Sequence, residues 1–513
     1  MNGIVDAFFS HIISTIIALP AIGAIIVALI MRKSGRVAEY FAMLIATVEL
    51  ALIILLALKF DFNNPGFQFV EKYEWLPGTG IYYHVGVDGI SMVMLILTGF
   101  ICFIAAWTSF HQIPEDLNRP LYFVVFLLFE VGIVGTFVAI NLIIFYLFWE
   151  LVLPSMFLLI GKWGPHPEKA RHAAIKFFIF TFAGSVIMLA GFVYLYLVHK
   201  TFNMIELAKL TAGMSREAQA FAFGLIFFGL AVKLPLVPFH TWLPDAHVEA
   251  PAPVSVLLAG LLLKMGGYGF VRMVWILPKG FDYLFGPLLI VAVVGAIYSG
   301  LTAMGQDNFK RMVAYTSINH MSYVFFAALV AAWATIHGKE HMDLAKIALA
   351  GGVFEMFGHG VAIGLMFLMA GVLLHKAGTY HISELGGLGK VTPRISVLIV
   401  FGSLAVFGFP PLIVFVGEIQ IFVGAIGLLF SENYYWPAII LVAPLIVVAT
   451  YLWMIRRVIM SEVTPVAEKA RDLSIGEIIP LAILCVAIIL FGIYPSIITN
   501  YMAKAIEAQL HML

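Results

Sequence analysis

The chain has 513 residues, of which 62% are hydrophobic and only 11% are charged. Soluble globular domains carry about 25% charged residues, so this composition excludes a soluble, fibrous or disordered protein and indicates a chain that lies in lipid. Lysine plus arginine (29) balance aspartate plus glutamate (29), which leaves no basic excess for binding nucleic acid. The two cysteines stand apart in apolar runs, and no CxxC pair suggests an iron–sulfur, zinc or thiol-redox centre.

Continuous apolar runs recur along the chain at about 20 residues, the length that a helix needs to cross ~30 Å of hydrocarbon. Because these runs do not alternate with polar residues, they favour helices over strands. Lysine and arginine concentrate in the loops on one side, which predicts that those loops are cytoplasmic and that both termini lie outside. We predict an all-α polytopic membrane protein with about fourteen spans, near residues 11–31, 37–58, 86–108, 120–138, 141–161, 173–197, 220–245, 251–277, 283–304, 313–335, 345–374, 395–430, 435–455 and 475–497.

Two of these spans contain prolines that would interrupt a helix. The seventh carries Pro235, Pro238 and Pro244, and the twelfth carries Pro410-Pro411. The two broken spans are five apart, an odd number, so equivalent helices would run in opposite directions through the membrane. This pattern predicts two inverted five-helix repeats, spans 4–8 (120–277) and 9–13 (283–455), between N-terminal helices (1–119) and a C-terminal helix with its tail (475–513).

Ionisable side chains recur in the middle of the predicted spans, although each costs about 2.5–3.5 kcal/mol at the bilayer centre. Buried Glu–Lys pairs that only fix helix packing would explain one such pair, but not a set spread over at least six spans. A proton route explains the whole set, because a buried lysine whose glutamate partner moves or is protonated can release its proton, and histidine titrates near neutrality. The set is Glu130, Glu150, Lys233, Lys264, His320, Glu355, His359 and Glu418.

Other polar residues have simpler interpretations. Asp88 opens the third span, a position typical of a helix N-cap. Arg272 is near a span end, from which its side chain can extend to the membrane surface. Glu355 and His359 are four residues apart on one helix face, so they also fit a local hydrogen bond. The loop 198–219 and the tail 498–513 are expected to be ordinary amphipathic or solvated stretches.

A group of acids and histidines follows the seventh-span prolines, at His240, Asp245, His247 and Glu249. Its spacing fits no standard zinc pattern, and the prolines indicate a rigid connector, so no metal site is predicted. The sequence also shows no nucleotide-binding or covalent catalytic motif. Any driving energy must therefore come from an ion gradient or from partner subunits.

Two long stretches carry a resemblance to a known family. HTWLPDAHVEAPAPVSVLLAGLLLKMGGYG (240–269) and GQDNFKRMVAYTSINHMSYV (305–324) resemble the antiporter-like, proton-translocating membrane subunits of respiratory complex I and of Mrp-type cation/proton antiporters. The resemblance extends over roughly residues 80–430. The glutamate after the second break, Glu418, is similar to one branch of the complex I subunits, whereas other branches usually carry lysine there.

The resemblance implies a role for most of the buried charges. Glu150 would pair with Lys233, Lys264 would be the central connecting lysine, and His320 and His359 would bridge toward Glu418, the exit-side carrier. Further candidates for proton transfer are Glu130, which corresponds less closely to a fourth-span acidic position, Glu355, which departs from the family pattern, and His240.

The resemblance also implies that this chain holds no cofactor or metal, and that FMN, iron–sulfur clusters and quinone belong to partner subunits whose quinone reduction drives proton movement. The implied partners are other complex I membrane subunits (neighbouring antiporter-like subunits and the lateral helix of subunit L), membrane lipid and protons, but no nucleic acid. The implied location is the bacterial plasma (inner) membrane.

Three alternatives stay open at this stage. They are the D subunit of an Mrp sodium/proton antiporter, a subunit of a membrane-bound hydrogenase or formate-hydrogenlyase, and a solitary solute carrier or scaffold. Neighbouring genes separate the first two from complex I, and activity without partner subunits identifies the third.

Overall fold

The computed structural model describes residues 9–30, 35–114, 117–337 and 339–511, most of which are helical. The longer helices and two short ones at the breaks are α1 (Ile12–Ile30), α2 (Gly35–Lys59), α3 (Gly89–Gln112), α4 (Arg119–Val138), α5 (Leu142–Trp163), α6 (Pro167–His199), α7 (Arg216–Lys233), α8 (Leu243–Glu249) and α9 (Ala252–Ile276). They continue with α10 (Phe285–Met304), α11 (Phe309–Ala334), α12 (Met342–Ala377), α13 (Pro393–Val406), α14 (Ile413–Ser431), α15 (Trp436–Val458), α16 (Ile475–Ile493) and α17 (Ser496–His511). Shorter helical pieces lie at Met204–Leu210, Pro278–Tyr283, Leu388–Val391 and Pro465–Glu468.

Among the described residues, 13 helices are long and apolar enough to cross a membrane. They agree in position with the predicted spans, apart from the two interrupted ones. The first half of the seventh span, α7, carries three charged residues, and the first half of the twelfth, α13, has only 14 residues. The all-α membrane fold is confirmed, whereas the count of fourteen, the inverted repeats and the segment boundaries stay predictions.

Both predicted helix breaks are present. The first break separates α7, which ends at Lys233, from α8, and it contains Pro235 and Pro238. The second separates α13 from α14, and it contains Pro410-Pro411. Proline lacks the backbone donor that a helix interior requires and clashes with the preceding turn. The first break runs through the buried residues Leu234, Pro235 and Leu236, whereas Phe409, Pro410 and Pro411 in the second break are exposed.

One element was missed by the sequence analysis, a β-hairpin between α2 and α3. Its strands β1 (Gln68–Leu76) and β2 (Ile81–Val87) pair antiparallel. Gly78 and Gly80 in the connecting turn have φ of 75° and 73°, a left-handed conformation that favours glycine. The carbonyl of His84 accepts from the N–H of Ile140 at 2.9 Å, so the hairpin is attached to the connection between α4 and α5.

The described part of 498–513, for which an amphipathic or solvated stretch was expected, is a helix with one buried face and not a solvated tail. Those residues belong to α17, which buries Ile498, Met502 and Ile506 and packs against α3 and α12. The approach is so close at Gly89 that a Cβ there would overlap the carbonyl oxygen of Tyr501. The tail thus packs on the N-terminal end of α3 instead of lying in water.

The centre of the molecule consists of α9, α11 and α12, whose residues are almost all buried. Asp88 is the N-cap of α3, as predicted, since its Oδ1 accepts from the N–H of Ser91 at 2.9 Å. Both of its oxygens also accept from Arg272 at 2.6 Å. Arg272 is only 2% exposed, so the expectation that it reaches the surface is wrong. A buried carboxylate satisfies its guanidinium better than a distant surface would.

We predict that Asp88→Asn destabilises the protein by about 3–5 kcal/mol, because it leaves Arg272 buried without a counter-charge. The measurement is the thermal unfolding midpoint of the purified protein in detergent. Lys504→Gln is the control, since the Lys504–Glu507 pair is exposed (53% and 41%) and such pairs contribute about 0–1 kcal/mol. Equal midpoints for Asp88→Asn and the control would contradict the structural role of the buried pair.

Candidate functional site

Five buried ionisable side chains from four helices form a continuous arrangement in the middle of the bundle. We call it the polar row, and it consists of Lys264 on α9, His320 on α11, Glu355 and His359 on α12, and Glu418 on α14. All five are between 0% and 7% exposed. The resemblance implied a role in proton transfer for four of them, Lys264, His320, His359 and Glu418. The fifth, Glu355, departs from the family pattern.

Lys264 begins the row with two hydrogen bonds. Its Nζ lies 2.6 Å from Nδ1 of His359 and 2.5 Å from the carbonyl oxygen of Ala259. Ala259 lies in a π-helical turn of α9 at Leu258–Leu262. Such turns are frequent at functional sites because they disturb the regular backbone hydrogen bonds. The π-turn therefore supplies a backbone acceptor within reach of the buried ammonium group.

His320 occupies the middle of the row. Its Nδ1 lies 3.0 Å from Oε1 of Glu355 and 3.6 Å from Oε1 of Glu418, and its ring centroid lies 5.2 Å from that of His359. The Nε2 atoms of His320 and His359 have no hydrogen-bond partner among the described residues. His320 is thus within hydrogen-bond distance of Glu355 and lies close to both Glu418 and His359.

Glu355 finds its partner on a neighbouring helix. Of its two oxygens, Oε1 accepts from His320 on α11, while Oε2 has no partner among the described residues. His359 is bonded to Lys264 on α9. The local Glu355–His359 hydrogen bond that their spacing allowed is therefore replaced by two contacts between helices, and Glu355 belongs to the row.

Glu418 is positioned by the second helix break. It lies on the second turn of α14, after the Pro410-Pro411 interruption. Gly408, in that interruption, has φ of 71°, and a Cβ at this position would collide with Oε2 of Glu418. Gly417 is also restricted, because its Cβ would meet Glu355. The glycines beside the two carboxylates therefore provide the space that these side chains occupy.

Glu150 and Lys233 lie apart from the polar row. Lys233 is the last residue of α7 and is buried, with Nζ 4.9 Å from the ring centroid of Trp149. Glu150 on α5 interacts electrostatically with Lys233, but among the described residues no ion pair within 4.0 Å joins them. Glu150 and Lys233, which the resemblance implied to be a pair, are therefore near each other but not hydrogen-bonded.

The acids and histidines after the first break disperse in the fold. Asp245 accepts from Lys176 at 2.7 Å and from Arg311 at 3.1 Å, and Glu249 lies 3.0 Å from His166. His247 is fully buried and stacks on Phe367, with ring centroids 4.2 Å apart. In the part of the chain that the structure describes, no group of three or more His, Cys, Asp or Glu side chains is arranged to hold a metal ion.

His240 and Glu130, two of the further candidates, do not join the row. The His240 ring contacts Tyr298 edge-on with centroids 5.4 Å apart, and its Nδ1 has no partner among the described residues. Glu130 on α4 faces Glu49 on α2 instead of Glu150. Glu49 has a sequence signal that the analysis overlooked, since it is a carboxylate in the middle of the second predicted span.

Lys310 is a functional candidate that the sequence analysis did not identify. The structure buries it at the start of α11, where its Nζ donates to the carbonyl of Ala250, just after α8. Its signal in the sequence was ambiguous, because a lysine at the edge of an apolar run is usually solvated. Only the position of α8 against α11 makes it a buried group.

Comparisons with known proteins identify the family of this chain and proteins with the same fold. A family model described as "NADH:quinone oxidoreductase/Mrp antiporter, TM" matches residues 139–447. The chain is 35% identical over 515 residues to NADH-quinone oxidoreductase subunit M of Rickettsia conorii, which covers 97% of this chain and 98% of that protein.

Two solved structures share the fold. A chain of respiratory complex I from Thermus thermophilus with bound NADH superposes with a TM-score of 0.84 at 25% identity, covering 98% of this chain and 99% of that one. A chain of the Mrp complex from Dietzia sp. superposes with a TM-score of 0.83 at 18% identity, with 97% of each chain covered, which shows a common fold only. The family expectation from the sequence is confirmed: this chain belongs to the family of antiporter-like membrane subunits that NADH:quinone oxidoreductases and Mrp antiporters share.

Proposed function

We propose that this chain moves protons across a bacterial plasma membrane as the subunit M component of an NADH–quinone oxidoreductase. The observation that carries the proposal is the polar row, in which buried groups that can gain or lose a proton are linked from Lys264 to Glu418 by contacts of 2.6–3.6 Å and one histidine–histidine approach. The near full-length similarity to subunit M of Rickettsia conorii supports the same proposal.

Proton transfer begins at the Lys264–His359 hydrogen bond. A protonated Lys264 donates to Nδ1 of His359, and the short distance lets the proton pass to the imidazole when the charge balance nearby changes. No hydrogen bond joins His359 to His320, since the Nε2 atom of each has no partner among the described residues, so a water molecule or a ring rotation completes this step. His320 then delivers the proton to Glu355 or Glu418, both of which lie next to its Nδ1.

The Glu150–Lys233 pair controls proton transfer along the polar row. With the two side chains in electrostatic contact but not bonded, a modest movement either forms the ion pair or separates the charges. Forming the pair holds the proton on Lys233, and separating it favours release. Water must connect Lys233 with Lys264, because no hydrogen bond between described residues links them.

The energy for these steps comes from partner subunits. FMN, iron–sulfur clusters and quinone are assigned to those partners, and quinone reduction there changes the charge balance at Glu150 and Lys233. This chain is accordingly a non-redox subunit of a translocating enzyme, packed against neighbouring antiporter-like subunits, the lateral helix of subunit L and lipid. Both of its termini lie on the periplasmic side, as the distribution of basic loops indicates.

Replacing the proposed proton carriers should lower activity while the complex still assembles. We expect Glu150→Gln, Lys233→Ala and Lys264→Ala each to lower coupled NADH–quinone turnover by roughly 10²-fold or more, the effect of losing a positioned proton-transfer group. The measurement is NADH oxidation with quinone in membranes, with assembly checked by native gel. Cys485→Ser is the control and should retain native turnover, because this thiol is only partly buried and, among the described residues, no hydrogen bond joins it to the polar row. Near-native turnover and pumping in Glu150→Gln and Lys233→Ala would reject their roles as carriers.

The position of Glu418 can be tested through its neighbouring glycine. Gly408→Ala should lower turnover about tenfold, equivalent to about 1.4 kcal/mol, because the added methyl group displaces the Glu418 carboxyl from His320. Gly378→Ala is a matched control, since Gly378 has a similar φ of 78° but open space around it, so backbone strain is the same and no side chain moves. If both variants lose activity equally, strain alone is responsible and Glu418 does not depend on its present position.

A further inference from the structure

Two glutamates outside the polar row lie together between the N-terminal helices. Glu49 on α2 and Glu130 on α4 are both 0% exposed. None of their four carboxyl oxygens has a hydrogen bond of good geometry to a described residue, although the two groups lie close enough to interact directly. Such fully buried and unsatisfied carboxyl groups are rare in proteins and call for a physical account.

The fold brings these two groups together through close helix packing. Gly99 on α3 lets α2 approach, since a Cβ there would lie 2.9 Å from Ile53 and near Leu50, the residue after Glu49. Cys102, one turn further along α3, is the third ionisable group at this position. The pair is therefore enclosed by α2, α3 and α4 in the N-terminal part of the chain.

No positive charge compensates the pair. Among the described residues, no lysine, arginine or histidine forms an ion pair with either glutamate. The described part of α1, which packs against both α2 and α4, has no ionisable side chain. On the opposite side of α4, Gly132 and Gly135 pack against Phe148 and Val152 of α5, which separates the pair from Glu150.

Two carboxylates in contact at membrane depth cannot both be ionised, because each charge is costly in hydrocarbon and the two repel each other. The known stable arrangement for such a pair is one proton shared between two carboxyl groups. We infer that Glu49 and Glu130 form a proton-binding site that holds one proton between them, separate from the polar row and from the proposed repeats. This site does not depend on the proposed function, because it requires only burial and contact.

The first test is infrared spectroscopy of the assembled complex at neutral pH, comparing the native protein with the double variant Glu49→Gln/Glu130→Gln. The shared proton predicts the loss of one carboxylic-acid C=O band and one carboxylate band. Glu39→Gln calibrates the signal of one carboxylate, because Glu39 lies on the same helix, is also buried, and is paired with Arg119 at 3.1 Å. Loss of two carboxylate bands, or of two acid bands, would overturn the inference.

A second test uses the native complex and so does not depend on the folding of the variant. A hydrophobic carbodiimide reacts with protonated carboxyl groups: the acid oxygen adds to its central carbon, the acid proton moves to nitrogen, and rearrangement leaves a stable N-acylurea. Peptide mass spectrometry should find one adduct per chain, on Glu49 or on Glu130, and none on Glu39. Adducts on both residues of one chain, or on neither, would contradict the shared proton.

Discussion

An ammonium group buried among apolar helices needs acceptors, and the need of Lys264 explains much of the central architecture. It is met by the ring of His359 and by the backbone carbonyl of Ala259. Both are available only because α9 contains a π-turn and because α12 crosses beside it. Since a lysine without acceptors would cost several kcal/mol at this depth, the helices around it must pack with defined rotation and register.

Irregular backbone also lies next to buried ionisable side chains elsewhere in the bundle. The first break ends α7 at Lys233, and the second places Glu418 on the second turn of α14. In each case a buried ionisable side chain lies at the interruption or within two turns of it. The first break lies mainly among buried residues, whereas the second lies at the surface of the chain, where Phe409, Pro410 and Pro411 are exposed.

The N-terminal end of α3 is held differently, by a pair of oppositely charged side chains. Arg272 binds both oxygens of Asp88, and Tyr268 ties the neighbouring Ser91 to the carbonyl of Phe137. The two charges of this group are joined by two short hydrogen bonds, one to each oxygen of Asp88. The polar row contrasts with it, since its histidines keep one ring nitrogen free and its carboxylates compete for a single Nδ1. Buried charge is thus held in one close ion pair at Asp88 and Arg272, and it is shared among several competing groups in the polar row, where we propose proton transfer.

The sequence by itself determined that the protein lies in lipid, where its helices are and where prolines interrupt them, because hydropathy over 20 residues and the chemistry of proline are local properties. Two long stretches of sequence also identified the family. The sequence also identified Lys264, His320, His359 and Glu418, since an ionisable residue in an apolar run is visible without a structure. Only the tertiary structure decided which groups meet. It brought Glu355 into the row, set Glu130 against Glu49, buried Arg272 on Asp88 and folded the tail onto α3, because the rotation and close approach of helices far apart in the chain fix such contacts, and no local pattern encodes them.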